Sequence, residues 1–84
     1  MNKEAIAAEA SLEYARRIGM DNCSSDFPNA DYPHLESMRL AMERMEDPLK
    51  RNRYLGWIQA CICVYAQNDE AFDEMLNLNR AIFR

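Results

Sequence analysis

Residues 54–68 form a run without a charged side chain, in a chain that is densely charged elsewhere. The apolar side chains of this run recur at about 100° per residue and cover about half of a helical wheel, as in an amphipathic helix. The other half carries small or uncharged side chains. Since a helix that is neutral all round is usually buried, the pattern predicts a central apolar helix over about residues 49–67.

Helix end signals place two helices before this run. Gly19 is the residue type that most often follows a helix C-terminus, so it ends a predicted helix over residues 3–18. A second helix over residues 32–46 ends before Asp47, because a residue that precedes proline disfavours the α conformation. Asp31 is a suitable N-terminal cap for this second helix.

Two capping residues start the remaining helices. Asp47 caps a predicted helix over residues 48–67, with Pro48 at its first helical position. Asn68 caps a predicted helix over residues 69–83, which carries a broad apolar face and ends near the C-terminus.

The segment 57–65 also has the β-branched and aromatic content of a strand, but the chain offers no second strand to pair with it. We therefore interpret the segment as helical. The sequence as a whole predicts an all-α fold, a compact bundle of three to four helices in a single domain over residues 1–84.

Residues 20–31 form the one clear loop of the predicted bundle. Turn-forming side chains are concentrated there, and the loop is long for a connection in so small a domain. We expect it to cross one end of the bundle, and a functional loop is the alternative. Phe27 is expected to turn inward and anchor it.

The small size of the chain limits its core. A domain of 84 residues buries only roughly 60% of the surface that its unfolded chain exposes. Three cysteines, an odd number, favour reduced thiols and a cytoplasmic location over a disulfide framework. No segment reaches the roughly 18 to 20 apolar residues that cross a membrane. Dimerisation is the reinforcement that remains, so we expect a homodimer.

An assembly surface is the alternative to complete burial of the central helix. Its small face lets another backbone approach closely, either from the first helix or from a second copy of the chain. Methionines at spacings of three and four on the second helix fill the core or repack against a partner. The residues expected at an interface are Tyr54, Trp57, Cys61, Val64, Met38, Met42, Met45 and Asn79. The residues expected on the close-packing face are Gly56, Ala60 and Cys63.

Asn79 is the one polar residue in the middle of the apolar face of the last helix. A polar side chain in an apolar seam can specify register or oligomeric state at some cost in stability. A hydrogen bond from Asn79 to a neighbouring backbone carbonyl is an equally good interpretation.

Catalytic and metal-binding patterns are missing from the sequence. Cys61 and Cys63 are closer in sequence than zinc ligand pairs usually are, and on a helix their sulfurs point about 200° apart. The one histidine, His34, lies elsewhere. We expect no metal site and no cofactor, and the cysteines pack as small hydrophobes. Adjacent residues offer no nucleophile with a base and an orienting partner, so we expect no enzyme.

Lys50, Arg51 and Arg53 form the main basic cluster, at the start of the third helix. They are weak candidates for contacts to phosphate, and a nucleic-acid-binding transcriptional regulator is therefore the alternative function. The formal net charge of −4 argues against it, because nucleic-acid binding normally needs a basic face.

The segment NRYLGWIQ at residues 52–59, with DEM at 73–75 and NR at 79–80, resembles the C-terminal half of small early-region proteins of lambda-like temperate phages and their prophages. The likeness covers about residues 52–80. It implies a non-enzymatic accessory protein in a bacterial cytoplasm, which acts on host or phage regulators through protein–protein contacts. The expected partners are a second copy of the chain and a host or phage protein.

Overall fold

Local caps and apolar spacing produce four helices in a computed structural model that describes residues 2–24 and 26–84. Within these residues no strand occurs, and the predicted all-α bundle is confirmed. Ser25, in the middle of the predicted loop, lies outside the described part. The helices are α1 (Lys3–Arg17), α2 (Tyr32–Met42), α3 (Pro48–Ala66) and α4 (Asp69–Ile82), with two short 3₁₀ turns, Met20–Asn22 and Pro28–Ala30, between α1 and α2.

The ends of the helices follow local chemistry. The side chains of Asn2, Asp47 and Asn68 each accept a backbone N–H from the first turn of α1, α3 and α4, at 2.7, 3.0 and 2.9 Å. These bonds satisfy donors that a helix start otherwise leaves without a partner. Gly19 follows α1 with a φ of 87°, a left-handed conformation that glycine adopts without steric cost.

Helix α2 ends at Met42, whereas the sequence predicted its end at residue 46. Side chains from outside the helix take carbonyl groups at its end and in the connection that follows. Asn2 donates its Nδ2–H to the Met42 carbonyl at 3.0 Å, and Arg51 Nη1 donates to the carbonyls of Met45 and Glu46 at 2.8 and 3.0 Å. The Asn2 bond spans 40 positions and the Arg51 bonds span six and five, all longer than the four-residue step of a helical hydrogen bond, so the helix-end signals do not show them.

Helices α1 and α3 form the central pair, since each packs against all three other helices, while α2 and α4 lie on the flanks. Alanines at positions 5, 7, 8 and 15 of α1 have no exposed surface, which lets the neighbouring backbones come close. From the other helices, the most deeply buried large side chains are Leu35, Met42, Ile58 and Ile62. Helix α3 is thus central, but it buries only one of its faces.

Candidate functional site

The outward face of α3 carries neutral and apolar side chains that the chain itself leaves exposed. Val64 is 73% exposed and Trp57 is 47% exposed. Ala60 is exposed as well, and a Cβ atom placed on Gly56 would meet nothing within 4 Å. The interpretation of α3 as a helix buried on all sides is therefore wrong for this face.

The connection between α1 and α2 lies beside this face and is tied to it by two side chains of α3. Trp57 donates its indole N–H to the Asn29 carbonyl at 3.0 Å. The Tyr65 hydroxyl oxygen lies 3.2 Å from the Sγ atom of Cys23, within hydrogen-bonding distance for sulfur. The connection is therefore held along its length as well as at its ends.

Phe27 was expected to anchor this loop from inside, and that prediction is wrong because its side chain is 74% exposed. Trp57 has the anchoring role instead. Its indole combines a large apolar ring with an N–H donor that satisfies a loop carbonyl, whereas a phenyl ring offers no donor.

Between the loop and α3 lies an open groove of about 860 Å³. Its floor is formed by the exposed face of α3, and its wall by the loop. Asp26 and Asp31 are the charged residues among those that line it, and both are acidic. Apolar and aromatic residues from both sides complete the lining, among them Met20, Phe27, Trp57, Ala60, Val64 and Tyr65. The groove thus combines an apolar floor with acidic side chains.

Comparisons of the chain with protein-family models, curated proteins and solved structures found no match. The function therefore has to be argued from the chemistry of the surface.

The Cys61 thiol and the Tyr65 hydroxyl, which line the groove, have raised pKa values. Burial raises the pKa of the Cys61 thiol above its usual value of 9.0. The hydrogen bond with Cys23 is the main cause that raises the pKa of the Tyr65 hydroxyl, and burial adds to it. A neutral thiol is a poor nucleophile, so the Cys61 side chain supplies contact surface and not reactivity.

Asn79 faces into the molecule and pairs with Gln59 of α3. Gln59 donates to the Asn79 carbonyl oxygen at 2.8 Å, and Asn79 donates back to the Gln59 carbonyl oxygen at 3.0 Å. Gln59 also donates to Ser11 of α1 at 3.1 Å. This amide pair sets how α3 and α4 align. Because the polar atoms of Asn79 are bonded to Gln59, they are not available for the interface contact that the sequence predicted.

The three methionines expected at an interface, Met38, Met42 and Met45, lie mostly inside the bundle. Met42 is fully buried, which corrects its assignment to an interface, and Met38 is packed against the core. Met45, predicted on α2, lies in the connection to α3 because the helix ends earlier. Tyr54 is partly buried against the core, with the Lys50 ammonium 5.9 Å from its ring centre.

The predicted close-packing face divides in two. Cys63 is packed against the core of the molecule, and burial raises the pKa of its thiol. Gly56 and Ala60 stay open to solvent. Helix α1 therefore does not cover these two residues; it meets α3 at the neighbouring Gln59, which donates a hydrogen bond to Ser11.

The basic cluster is divided by the fold. Arg51 donates its Nε–H to Glu4 at 2.8 Å, and its Nη1 group donates to the carbonyls of Met45 and Glu46 in the connection between α2 and α3. Arg51 therefore joins α1 and α3 to this connection, and its Nε and Nη1 donors are engaged inside the molecule. Lys50 and Arg53 remain exposed. Two exposed cations are a weak basis for the phosphate contacts of a nucleic-acid-binding face.

Two other kinds of site, a metal centre and a membrane-spanning helix, are absent from the residues that the structure describes. No group of three or more histidine, cysteine or acidic side chains there is arranged to hold a metal ion. Likewise, none of the helices in that part of the chain combines the length and the apolar character needed to cross a membrane.

Proposed function

We propose that this chain is a small non-enzymatic accessory protein that acts by binding another protein through the exposed face of α3. The observation that carries the proposal is the groove between α3 and the loop. Its apolar floor includes Trp57 and Val64, and the loop is held in place beside it by a hydrogen bond. An apolar surface that is shaped and held in this way marks an interaction site.

The position of the exposed apolar side chains supports the proposal more than the total accessible surface area does. The accessible surface is 5486 Å², and a monomer of this mass exposes roughly 5,200 Å². The molecule is therefore no more open than other small proteins. Of the nine large apolar side chains that are exposed in the described residues, four line the groove, namely Phe27, Trp57, Val64 and Tyr65. Phe27 and Val64 are each more than 70% exposed, and the other five side chains lie elsewhere on the molecule.

The resemblance of residues 52–80 to phage early-region proteins supports a role in a bacterial cytoplasm, on a host or phage regulator. The resembling segment covers most of α3 and α4, and it includes Trp57 and the Gln59–Asn79 pair. The residues that carry the resemblance thus shape both the groove and the α3–α4 contact.

Self-association is part of the proposal, and we place it on the open side of α3 at Gly56. Absence of a side chain there lets a second helix approach closely, as at other small-residue helix contacts. A stable dimer covers roughly 800 Å² on each chain. We assign to the same surface Phe83, which directly follows α4 and is 40% exposed.

Light scattering at micromolar concentration tests the dimer. Gly56→Leu fills the contact without a clash inside the monomer, so we expect it to convert a dimer of the wild-type chain into a monomer. Ala81→Leu, which also introduces a leucine but at an exposed position of α4, is the control and should leave the dimer intact. A wild-type chain that is monomeric throughout this range contradicts the dimer.

Capture of partners from a bacterial host tests the binding function. Val64→Arg places a charge on the groove floor, and Leu40→Arg makes the same change at an exposed position of α2. We expect the partner to be lost with Val64→Arg and kept with Leu40→Arg. Equal capture by both variants would exclude the groove as the binding surface. Trp57 is a poorer position to change, since its loss also releases the loop.

A further inference from the structure

We infer that the occupant of the groove is an amphipathic helix of another protein, with an apolar face flanked by lysine and arginine side chains. The inference rests on the proposed function and names the chemistry of its partner. Two properties of the groove carry the inference: its openness along α3 and the sign of its charges. The third observation is the acidic charge of the chain's own helix α4.

The shape of the groove fits a helix better than a small molecule. Sites for small ligands enclose most of the ligand surface, whereas here Phe27 and Val64 are each more than 70% exposed. Lining residues of α3 extend from Trp57 to Gln67, which is about 15 Å at the rise of an α-helix. This length corresponds to about three helical turns and matches the spacing of the anchor residues in helix-in-groove recognition.

The charges of the groove select the flanks of that helix. Asp26 and Asp31 line the groove without a lysine or arginine among the lining residues, and Asp21 lies close enough to act on the Tyr65 hydroxyl. The formal net charge of the chain is −4. Charge complementarity steers association and excludes partners of the same sign, so a basic flank is favoured.

Helix α4 of a second copy of the chain fits the groove poorly. The exposed apolar residue near the start of α4 is Phe72, which is 56% exposed. It lies among the acidic residues Asp69, Glu70, Asp73 and Glu74. Insertion of that helix into the acidic groove would bring like charges together. This repulsion separates the groove from the surface that we assign to self-association.

Trp57, the one tryptophan of the chain, lies in the groove and reports its occupancy by fluorescence. The probes are two tryptophan-free peptides of about 18 residues, long enough for five helical turns. They share one face of leucine and phenylalanine, and their flanks carry lysine in one and glutamate in the other. We expect the lysine peptide to shift Trp57 emission and to bind about tenfold more tightly at low salt, with a smaller difference at high salt.

Three variants locate the effect. Asp26→Lys should reduce the preference for the lysine peptide several-fold, while Asp73→Lys, the same change on α4, should leave it unchanged. Val64→Arg should abolish binding of both peptides. The far-ultraviolet circular dichroism of each variant verifies that it is folded. An unchanged preference in Asp26→Lys overturns the inference.

Other outcomes identify a different occupant. If both peptides bind equally and Val64→Arg abolishes both, the groove binds helices without charge selection; the inference fails and the proposed function stands. If neither binds and Val64→Arg dissociates a dimer, the occupant is a second copy. If neither binds but the dye 8-anilinonaphthalene-1-sulfonate does, the groove is a small-molecule site. If no probe binds and Val64→Arg also captures the same host proteins as Leu40→Arg, the inference and the proposed function both fail.

Discussion

Gly56 and Trp57 are adjacent in α3 but differ in their relation to the rest of the molecule. Trp57 holds the loop through its indole N–H, while Gly56 faces open space. Glycine inside a helix costs about 1 kcal/mol relative to alanine, because it loses more backbone freedom on folding. Gly56 has no left-handed conformation that would require glycine, in contrast to Gly19. Within the monomer, glycine at position 56 therefore lowers stability, and neither a contact nor a backbone conformation requires it.

We expect Gly56→Ala to raise the free energy of unfolding by about 1 kcal/mol. The measurement is urea denaturation at a concentration where the chain is monomeric. Gly19→Ala is the opposite control, since its φ of 87° strains any side chain and should lower stability. A loss of stability in Gly56→Ala would mean that the monomer packs against this position.

Stability should fall at alkaline pH. Burial raises the pKa of the Cys61 and Cys63 thiols above their usual value of 9.0. Burial is also the largest cause that raises the pKa of the Tyr14 and Tyr32 hydroxyls above their usual value of 10.0. The folded chain then keeps protons that the unfolded chain releases. The stability from these groups is complete below their usual pKa values and is lost as pH rises through the folded ones.

Urea denaturation under reducing conditions from pH 7 to 11 tests this expectation. We expect a constant free energy of unfolding near neutral pH and a decline that begins at about pH 9. In the double variant Cys61→Ala, Cys63→Ala the decline should begin closer to pH 10, where the tyrosines of the unfolded chain ionise. A free energy that rises with alkaline pH would contradict these assignments.

At the scale of elements, contacts between helices depend on a few polar groups. Arg51 joins α3 to α1 and to the connection after α2 through its guanidinium, and the Gln59–Asn79 pair aligns α3 with α4. No buried side-chain nitrogen or oxygen lacks a hydrogen-bond partner in the part of the chain that the structure describes. Each of these polar groups forms all of its hydrogen bonds in one alignment of the helices. A shifted alignment would leave a buried polar group without a partner, which costs free energy.

The Gln59–Asn79 pair should show strong coupling in a double-mutant cycle. Gln59→Leu or Asn79→Leu leaves the other amide without its partner, and each single change should cost about 1–3 kcal/mol of stability. The double variant should cost less than the sum of the two, by about 0.5–3 kcal/mol. Free energies of unfolding from urea denaturation give the coupling. Additive costs would mean that the amides act independently.

The groove exists only at the scale of the whole molecule, because its wall and floor are far apart in the sequence. Trp57 and Asn29, which join them, are separated by 28 positions. Met20 and Tyr32, buried at the two ends of the loop, set where it leaves the bundle. The middle of the loop depends on the contacts from α3.

We expect Trp57→Phe to loosen the loop without unfolding the bundle, since phenylalanine keeps a ring but loses the N–H donor. Amide hydrogen exchange across residues 20–31 should become several-fold faster, while exchange in α1 stays unchanged. Tyr54→Phe, which changes an aromatic residue outside the lining of the groove, is the control. Unchanged exchange across the loop would mean that its buried ends alone hold it.

Local interactions explain which features could be predicted. Asp47 and Asn68 start helices through bonds to residues two or three positions away, so their roles are visible in the sequence. Long-range contacts were missed. The end of α2 is bonded by Asn2, 40 positions away, and the loop depends on Trp57, 28 positions from Asn29, in place of Phe27.

The sequence by itself determined the number and order of the helices, the caps of α3 and α4 and the charge-free run of α3, because these follow from side chains a few positions apart. Tertiary structure alone decided which face of α3 is buried. Helix α1, with its small residues, covers one side and engages Gln59, while the loop covers only an edge of the other. The run of α3 from residue 54 onward carries no charge that would mark its outward side, so only packing against distant residues distinguishes the core from the groove.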